Sequence, residues 1–475
     1  MKIAGLFNGE GFVAGSDGAN QTVTHGRRYL LFILLVGLVV RLINILATYS
    51  SAIQLDGISY ALIAEAIARG AFGEAVRAVF PPFYPLFIAL AHFFVGDWEL
   101  AGRVASLVFG LLLIYVSYLF FKRLLGEKKA LYGAFILAIH PYLVRYSGQV
   151  LSESLATLLF TITVFFFYRG WVEEKGTYLG MSGCFLGLTY LTRPEYLVYY
   201  APFALLLVGR KRFLHTLLFF LAFVFLALVY IMYLRLETGV WMISGKMIHS
   251  PFVPLSAAVT NIPAVIYHFL AAIFPPFLLL LLMGFRSVDV RFRTMSILLV
   301  IFHILSLSLV GHSTRRYSVE FVPFLALFVA EGIPVFLSFV GRFRYRVAVA
   351  FGVCILFVCL PLTQTISFHE GRGLQKSAGL FLLRNDPGSR IAARLPIESF
   401  YAKGSWINLE ASCTNLQECN GLLDSLSSQG VKYMVLDDRI TKGCPHIKDC
   451  LRGLPCIADF SDNKSYVRVY RLKNE

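Results

Sequence analysis

Apolar residues run in long stretches through most of the first 366 positions, broken by short polar segments. The stretches fall at about 29–50, 100–121, 130–146, 151–170, 177–192, 195–209, 213–235, 262–285, 294–311, 317–340 and 347–366. Most reach the roughly 20 residues that a helix needs to cross about 30 Å of hydrocarbon. The pattern predicts a polytopic α-helical membrane protein with about eleven transmembrane helices. The stretch 82–95 is apolar but short, and Pro81, Pro82 and Pro85 open it. Were it to span, every later loop would change sides, so it is read as an interfacial or re-entrant helix of a first external loop, residues 51–99.

Beyond residue 366 the pattern changes. Charges of both signs rise, and short alternating runs appear, such as YMVLDD at 433–438 and SYVRVYRL at 465–472. Residues 367–475 therefore predict a small C-terminal α/β domain. Residues 1–28 are polar and form an N-terminal segment without the pattern of a removable signal peptide.

Charge sets the orientation. The chain carries 43 Lys and Arg against 28 Asp and Glu, a net charge of +15. In a soluble protein that excess would suggest nucleic acid. Here the basic residues gather between apolar runs, at Arg27 and Arg28, Lys122 to Lys129, Arg210 to Arg212, Arg286 to Arg293 and Arg342 to Arg346. This is the positive-inside pattern of cytoplasmic loops, and it predicts no nucleic-acid partner. The N-terminus then lies inside and the C-terminal domain outside. With 57% hydrophobic and 15% charged residues and a mean hydropathy of +0.69, a soluble enzyme is excluded.

Five of the eight cysteines, Cys413, Cys419, Cys444, Cys450 and Cys456, fall in the external domain. An oxidising compartment predicts disulfides there, most simply Cys413 with Cys419 and two of the other three. No spacing is CxxC, so a zinc site is disfavoured.

Ionisable residues at a membrane boundary are costly, and their placement points to chemistry. The predicted external ends carry Asp56, Glu65, Arg103, Arg145, Glu153, Arg193, Glu195, His312, Arg315, Arg316 and Glu320. Acids and arginines from four loops suit transfer of a group from a lipid-linked phosphate to a hydroxyl. A carboxylate takes the proton, and arginine stabilises the departing phosphate. Each residue also has a plainer account. Asp56 could cap a helix starting near Ile58, the SES run around Glu153 could cap the next, and the arginines could snorkel or pair with Glu195 and Glu320.

The stretches LDGISYALIAEAI (55–67), FPPFYPLFIAL (80–90), RVASLVFGLLL (103–113), HPYLVRYSGQVLSESL (140–155), LTRPEY (191–196) and RRYSVEFVPFLAL (315–327) resemble, in order and spacing, the GT-C superfamily. More narrowly they are similar to glycosyltransferase family 39, which includes protein O-mannosyltransferases and the lipid A aminoarabinose transferase. The resemblance implies a GT-C type membrane domain over 29–366. It also implies a polyprenyl-phosphate sugar donor and a lipid, glycan or protein acceptor, with membrane lipids around the helices. It further implies Asp56 as general base, with Glu153 as the second catalytic acid. Tyr60, Arg145, Arg193, Glu195, Arg316 and Tyr317 then bind substrate. Many relatives carry a second acid after the first, where this chain has Gly57. A divalent metal is compatible with the wider superfamily, although the sequence offers no closed ligand set. The implied setting is a bacterial inner membrane with the active site facing the periplasm. A flippase for lipid-linked sugars, or a polysaccharide ligase or polymerase, would use similar grooves and arginines.

Overall fold

A computed structural model describes residues 16–77, 79–208, 213–245, 252–311, 313–341, 352, 359–361, 363, 372–409, 415–463 and 465–472. The chain divides into two compact units. One comprises residues 1–45 with 60–367, and the other comprises residues 46–59 with 368–475.

In the first unit, seven helices among the described residues are long and apolar enough to cross a membrane. They include α1 (Ser16–Thr48), α5 (Trp98–Leu125), α8 (Glu153–Val172), α11 (Phe213–Thr238), α12 (Leu255–Ile273) and α14 (Val290–Val310). The seventh is Arg315–Val340, whose first turns, Arg315–Phe321, are 3₁₀ and whose remainder is α15 (Val322–Val340). Most of α8 is buried and most of α11 is not, so α8 is the central helix. Leu221, Phe225, Leu228 and Met232 of α11 face outward, as lipid-contacting side chains do. The first loop holds α2 (Leu55–Ala68), α3 (Phe72–Arg77) and α4 (Phe83–Val95), the last only 13 residues long.

Three expected spans are broken, two of them at a proline and one in the turn that follows a proline. The stretch 130–146 becomes α6 (Glu127–Ile139) and α7 (Pro141–Ser147), because Pro141 forces His140 into extended backbone. The stretch 195–209 becomes a 3₁₀ turn, Pro194–Tyr199, followed by α10 (Tyr200–Leu207). The stretch 262–285 is split between α12 and α13 (Pro275–Gly284) by Phe274, at φ 71°. A hydropathy sum is blind to such breaks, since proline changes the backbone without making the window polar. At the first break the fully buried Arg41 of α1 donates to the Ala138 carbonyl at 2.9 Å, answering a helix end that would otherwise lack a partner. The stretches around 210–212 and 347–366, with the basic residues Arg342 to Arg346, lie largely or wholly outside the described residues.

The second unit is a five-stranded sheet of order β2-β1-β3-β5-β4. Strands β1 (Arg390–Ala393), β2 (Ser405–Asn408) and β3 (Tyr433–Asp437) are parallel, and β5 (Tyr466–Arg471) runs antiparallel to β3 and to β4 (Cys456–Ser461). Side chains alternate across a strand, so Tyr433 and Val435 face one layer and Met434 and Leu436 the other. Helix Gly373–Asn385 supplies Ala378 and Leu382 to the first layer, and helix Leu416–Ser428 supplies Cys419 and Leu426 to the second. The two strands expected at 433–438 and 465–472 are β3 and β5.

The expected disulfides do not form among Cys444, Cys450 and Cys456, which are free thiols. Cys444 is fully buried in the second layer, where a thiol packs as a small apolar group. Cys413 lies outside the described residues.

Candidate active site

The centre of the membrane unit's charged cluster is Glu153, the first residue of α8, which is only 3% exposed. Its Oε1 accepts from Arg193 Nη1 at 2.6 Å and also from Arg316 Nε. Its Oε2 is buried with no hydrogen-bond partner among the described residues. Two guanidiniums thus share one carboxylate oxygen, while the other is left as a buried acceptor. Such a cluster is costly to bury, and it persists where the remaining lone pairs and donors have a use.

Each partner is delivered by a break in the helices. Pro194 holds Arg193 in extended backbone at the end of α9 (Gly176–Thr192), turning the side chain away from the helix axis. Arg193 Nη2 reaches Glu195 at 3.0 Å, and its guanidinium lies 5.3 Å from the Tyr317 ring centre. Arg316 and Tyr317 sit in the 3₁₀ turn Arg315–Phe321. Of the pairings open to the arginines from sequence, Arg193 with Glu195 forms. For Arg316 the structure shows a bond to Glu153.

Neighbouring side chains lock these pieces. Tyr60 is buried, and its hydroxyl pairs with Ser152 Oγ at 2.9 Å. Ser152 therefore makes no side-chain cap on α8, in contrast to the capping expected of the SES run. Tyr60 lies within electrostatic range of Arg193, Glu153 and Arg316. Arg145 of α7 lies over the Tyr146 ring at 5.9 Å, and Tyr146 is within electrostatic range of Arg145, Glu153 and Arg316. Arg315 donates to the Tyr142 hydroxyl at 2.7 Å. Arg103 is bound to Glu99 at 2.9 Å and to the Gly148 carbonyl at 2.8 Å, so it holds the turn before α8.

One part was not expected. The Tyr199 hydroxyl donates to Glu320 at 3.1 Å and lies 2.7 Å from His303 Nδ1, while His303 Nε2 is 2.9 Å from Ser318 Oγ. His303 is thus a hydrogen-bonded packing residue. Glu320 and Ser318 share the 3₁₀ turn with Arg316, so this buried network fixes the turn that aims the arginine. Tyr199 carries no signal in the sequence, because an aromatic in an apolar run looks like packing.

Asp56 belongs to the other unit and is the second residue of α2. Helix α2 begins at Leu55, three residues earlier than the capping account required, so Asp56 lies inside its first turn. Negative charge is favoured there by the helix dipole. Tyr60 follows one turn later on the same helix.

The fold is shared with solved proteins of low sequence identity and, over about a third of the chain, the sequence fits one family model. The family model for dolichyl-phosphate-mannose-protein mannosyltransferases matches residues 79–234. The structure is similar over 95% of this chain to ArnT from Cupriavidus metallidurans in the apo state, covering 98% of that chain, at 15% identity and a TM-score of 0.64. It is also similar to ArnT from the same organism bound to undecaprenyl phosphate, over 92% of this chain and 98% of that one, at 14% identity and a TM-score of 0.60. The oligosaccharyltransferase AglB from Archaeoglobus fulgidus, in complex with an inhibitory peptide and a dolichol-phosphate, matches over 93% of this chain and 74% of its own, at 12% identity and a TM-score of 0.52. No curated protein sequence matches.

Proposed function

We propose that this protein is a membrane glycosyltransferase that moves a sugar from a polyprenyl-phosphate donor to an acceptor hydroxyl on the extracytoplasmic face. The observation that carries the reading is the buried Glu153 carboxylate held between Arg193 and Arg316 at the start of the central helix. Guanidinium groups in a desolvated setting bind phosphate strongly and directionally. Undecaprenyl phosphate in one similar structure and dolichol-phosphate in another support a lipid-linked donor. The acceptor is a lipid, glycan or protein, and the setting is a bacterial inner membrane with the site on the periplasmic side.

In the reaction the acceptor oxygen attacks the anomeric carbon as the bond from that carbon to the phosphate oxygen breaks, inverting the configuration. The hydroxyl proton passes to the Asp56 carboxylate, and the polyprenyl phosphate leaves with one more negative charge. Arg145, Arg193 and Arg316 stabilise that charge. Glu153 holds two of these arginines together and oriented, with Tyr60, Glu195 and Tyr317 completing the surround. Among the described residues no three His, Cys, Asp or Glu side chains converge to hold a metal ion.

Purified protein incubated with a panel of polyprenyl-phosphate sugars should convert one of them, with mass spectrometry following both lipid and acceptor. Asp56→Asn should lower kcat by roughly 10² to 10⁴ with little loss of donor binding. Transfer at the wild-type rate would remove Asp56 as the base. If no donor in the panel is converted, transport of a lipid-linked sugar becomes the better reading.

A further inference from the structure

The residues that join α1 to α2, Tyr49–Gln54, form neither helix nor strand, yet Ser51, Ala52 and Ile53 are buried. A buried irregular segment must find partners for its peptide groups outside itself. Two come from the C-terminal part of the same compact unit. Lys376, on helix Gly373–Asn385, donates from Nζ to the Tyr49 carbonyl at 2.6 Å, and that nitrogen lies 4.3 Å from the Tyr49 ring centre and 5.1 Å from that of Tyr401. Tyr401, at the end of helix Ile397–Tyr401, accepts the Ile53 N–H at 3.1 Å on its hydroxyl. The two grips are four residues apart and directly precede the helix whose second residue is Asp56.

Neither grip has the character of ordinary core packing. Lys376 is 7% exposed, and lysine is almost never buried without a specific partner. Its charge is met by a carbonyl and two aromatic faces, an arrangement that binds a cation but gives poor value as mere filling. Tyr401 has no room to drift, because at Gly379 the two helices are so close that a Cβ would come within 2.7 Å of Tyr401 Cβ and 2.8 Å of the Glu398 carbonyl. A linker so short and so held can set the direction in which α2 starts.

We propose that the C-terminal domain clamps the segment bearing Asp56, with Lys376 and Tyr401 as positioning residues. The role of Asp56 rests on the glycosyl-transfer reading, whereas the clamp is measurable without it.

The test uses the full-length protein in detergent and two readouts. In Lys376→Met, hydrogen exchange of the peptide spanning 49–58 should speed up by about tenfold or more, with the strands of the C-terminal sheet still protected. Lys376→Arg, which keeps cation and donors, should restore protection. With whichever polyprenyl-phosphate sugar the panel identifies, Lys376→Met should lower kcat by about 10- to 100-fold and leave the donor KM within about two-fold, because a misplaced base costs turnover more than binding. Combined with Asp56→Asn it should cause no further loss, since both act through one carboxylate. Unchanged exchange in 49–58, or losses that multiply in the double variant, would overturn the proposal. If Lys376→Met loosens the whole domain, Tyr401→Phe, which removes one hydroxyl, decides the case by the same two readouts. Faster exchange in a protein that converts no donor would uphold the clamp and remove the glycosyl-transfer reading.

Discussion

Glu398, on the helix that carries Tyr401, is 4% exposed, and its Oε2 has no hydrogen-bond partner among the described residues. Burial pushes its carboxyl from 4.5 up to about 8, nearby Asp437 adds to the effect, and Arg394 and Arg372 oppose it. In the unfolded chain the group ionises near 4.5, while in the folded domain it keeps its proton until about 8. The unfolded state therefore sheds a proton that the folded state holds, and stability falls as pH rises through this window by about 1.4 kcal/mol per unit. Below 4.5 the contribution is fully present, and above about 8 the loss levels off. At pH 7 the loss comes to about 3 kcal/mol, the product of that slope and the distance from the unfolded value. Glu398→Gln keeps the shape and cannot ionise in either state. It should make the domain more stable at pH 7 by about 3 kcal/mol, which lowers the opening constant roughly a hundredfold. The reporter is Cys444, a free thiol with no exposed surface, whose labelling requires the domain to open. Labelling rates read at Cys444 by mass spectrometry, normalised at each pH to the denatured protein, give the opening constant. The two proteins should converge as the pH approaches 4.5. Equal protection of Cys444 in both proteins at pH 7 would mean that Glu398 is already ionised in the fold, and the reasoning would fail.

Three further outcomes follow from the charged cluster and the orientation. Glu153→Gln leaves the buried Arg193 and the half-buried Arg316 without their shared anion and should destabilise the membrane unit by about 3 kcal/mol, seen as a lower thermal midpoint in detergent; an unchanged midpoint would mean that the arginines relax to water. Arg145→Ala should weaken donor binding as well as turnover, because arginine meets the phosphate in the ground state too, and a pure kcat effect in steady-state kinetics would contradict this. In intact cells a cysteine replacing the exposed Thr314 should react with a membrane-impermeant thiol reagent and one replacing the exposed Lys128 should not; the reverse labelling would turn the site to the cytoplasmic side.

Much of the candidate site is legible in the chain before any folding. Glu153, Arg193 and Arg316 stand out because charge beside long apolar runs is expensive wherever it falls. Their mutual arrangement is not legible. Whether Arg316 meets Glu153 or Glu320 depends on the pitch of a 3₁₀ turn locked by Tyr199 and His303, residues that look like packing in a linear pattern. The cysteines mislead for a related reason, since spacing carries the compartment's chemistry but not the burial of Cys444 between a sheet and its helices.

By itself the sequence determined the membrane class, the helical stretches and the α/β character of the C-terminal domain, because transfer of an apolar side chain out of water has nearly the same value whatever its later neighbours. Only the tertiary structure decided where the helices break, that Arg193 and Arg316 both hold Glu153, and that residues 46–59 belong to the same compact unit as a domain more than three hundred residues further along. Those outcomes depend on backbone turns and on contacts between distant positions, whose energies exist only once both partners have been brought together.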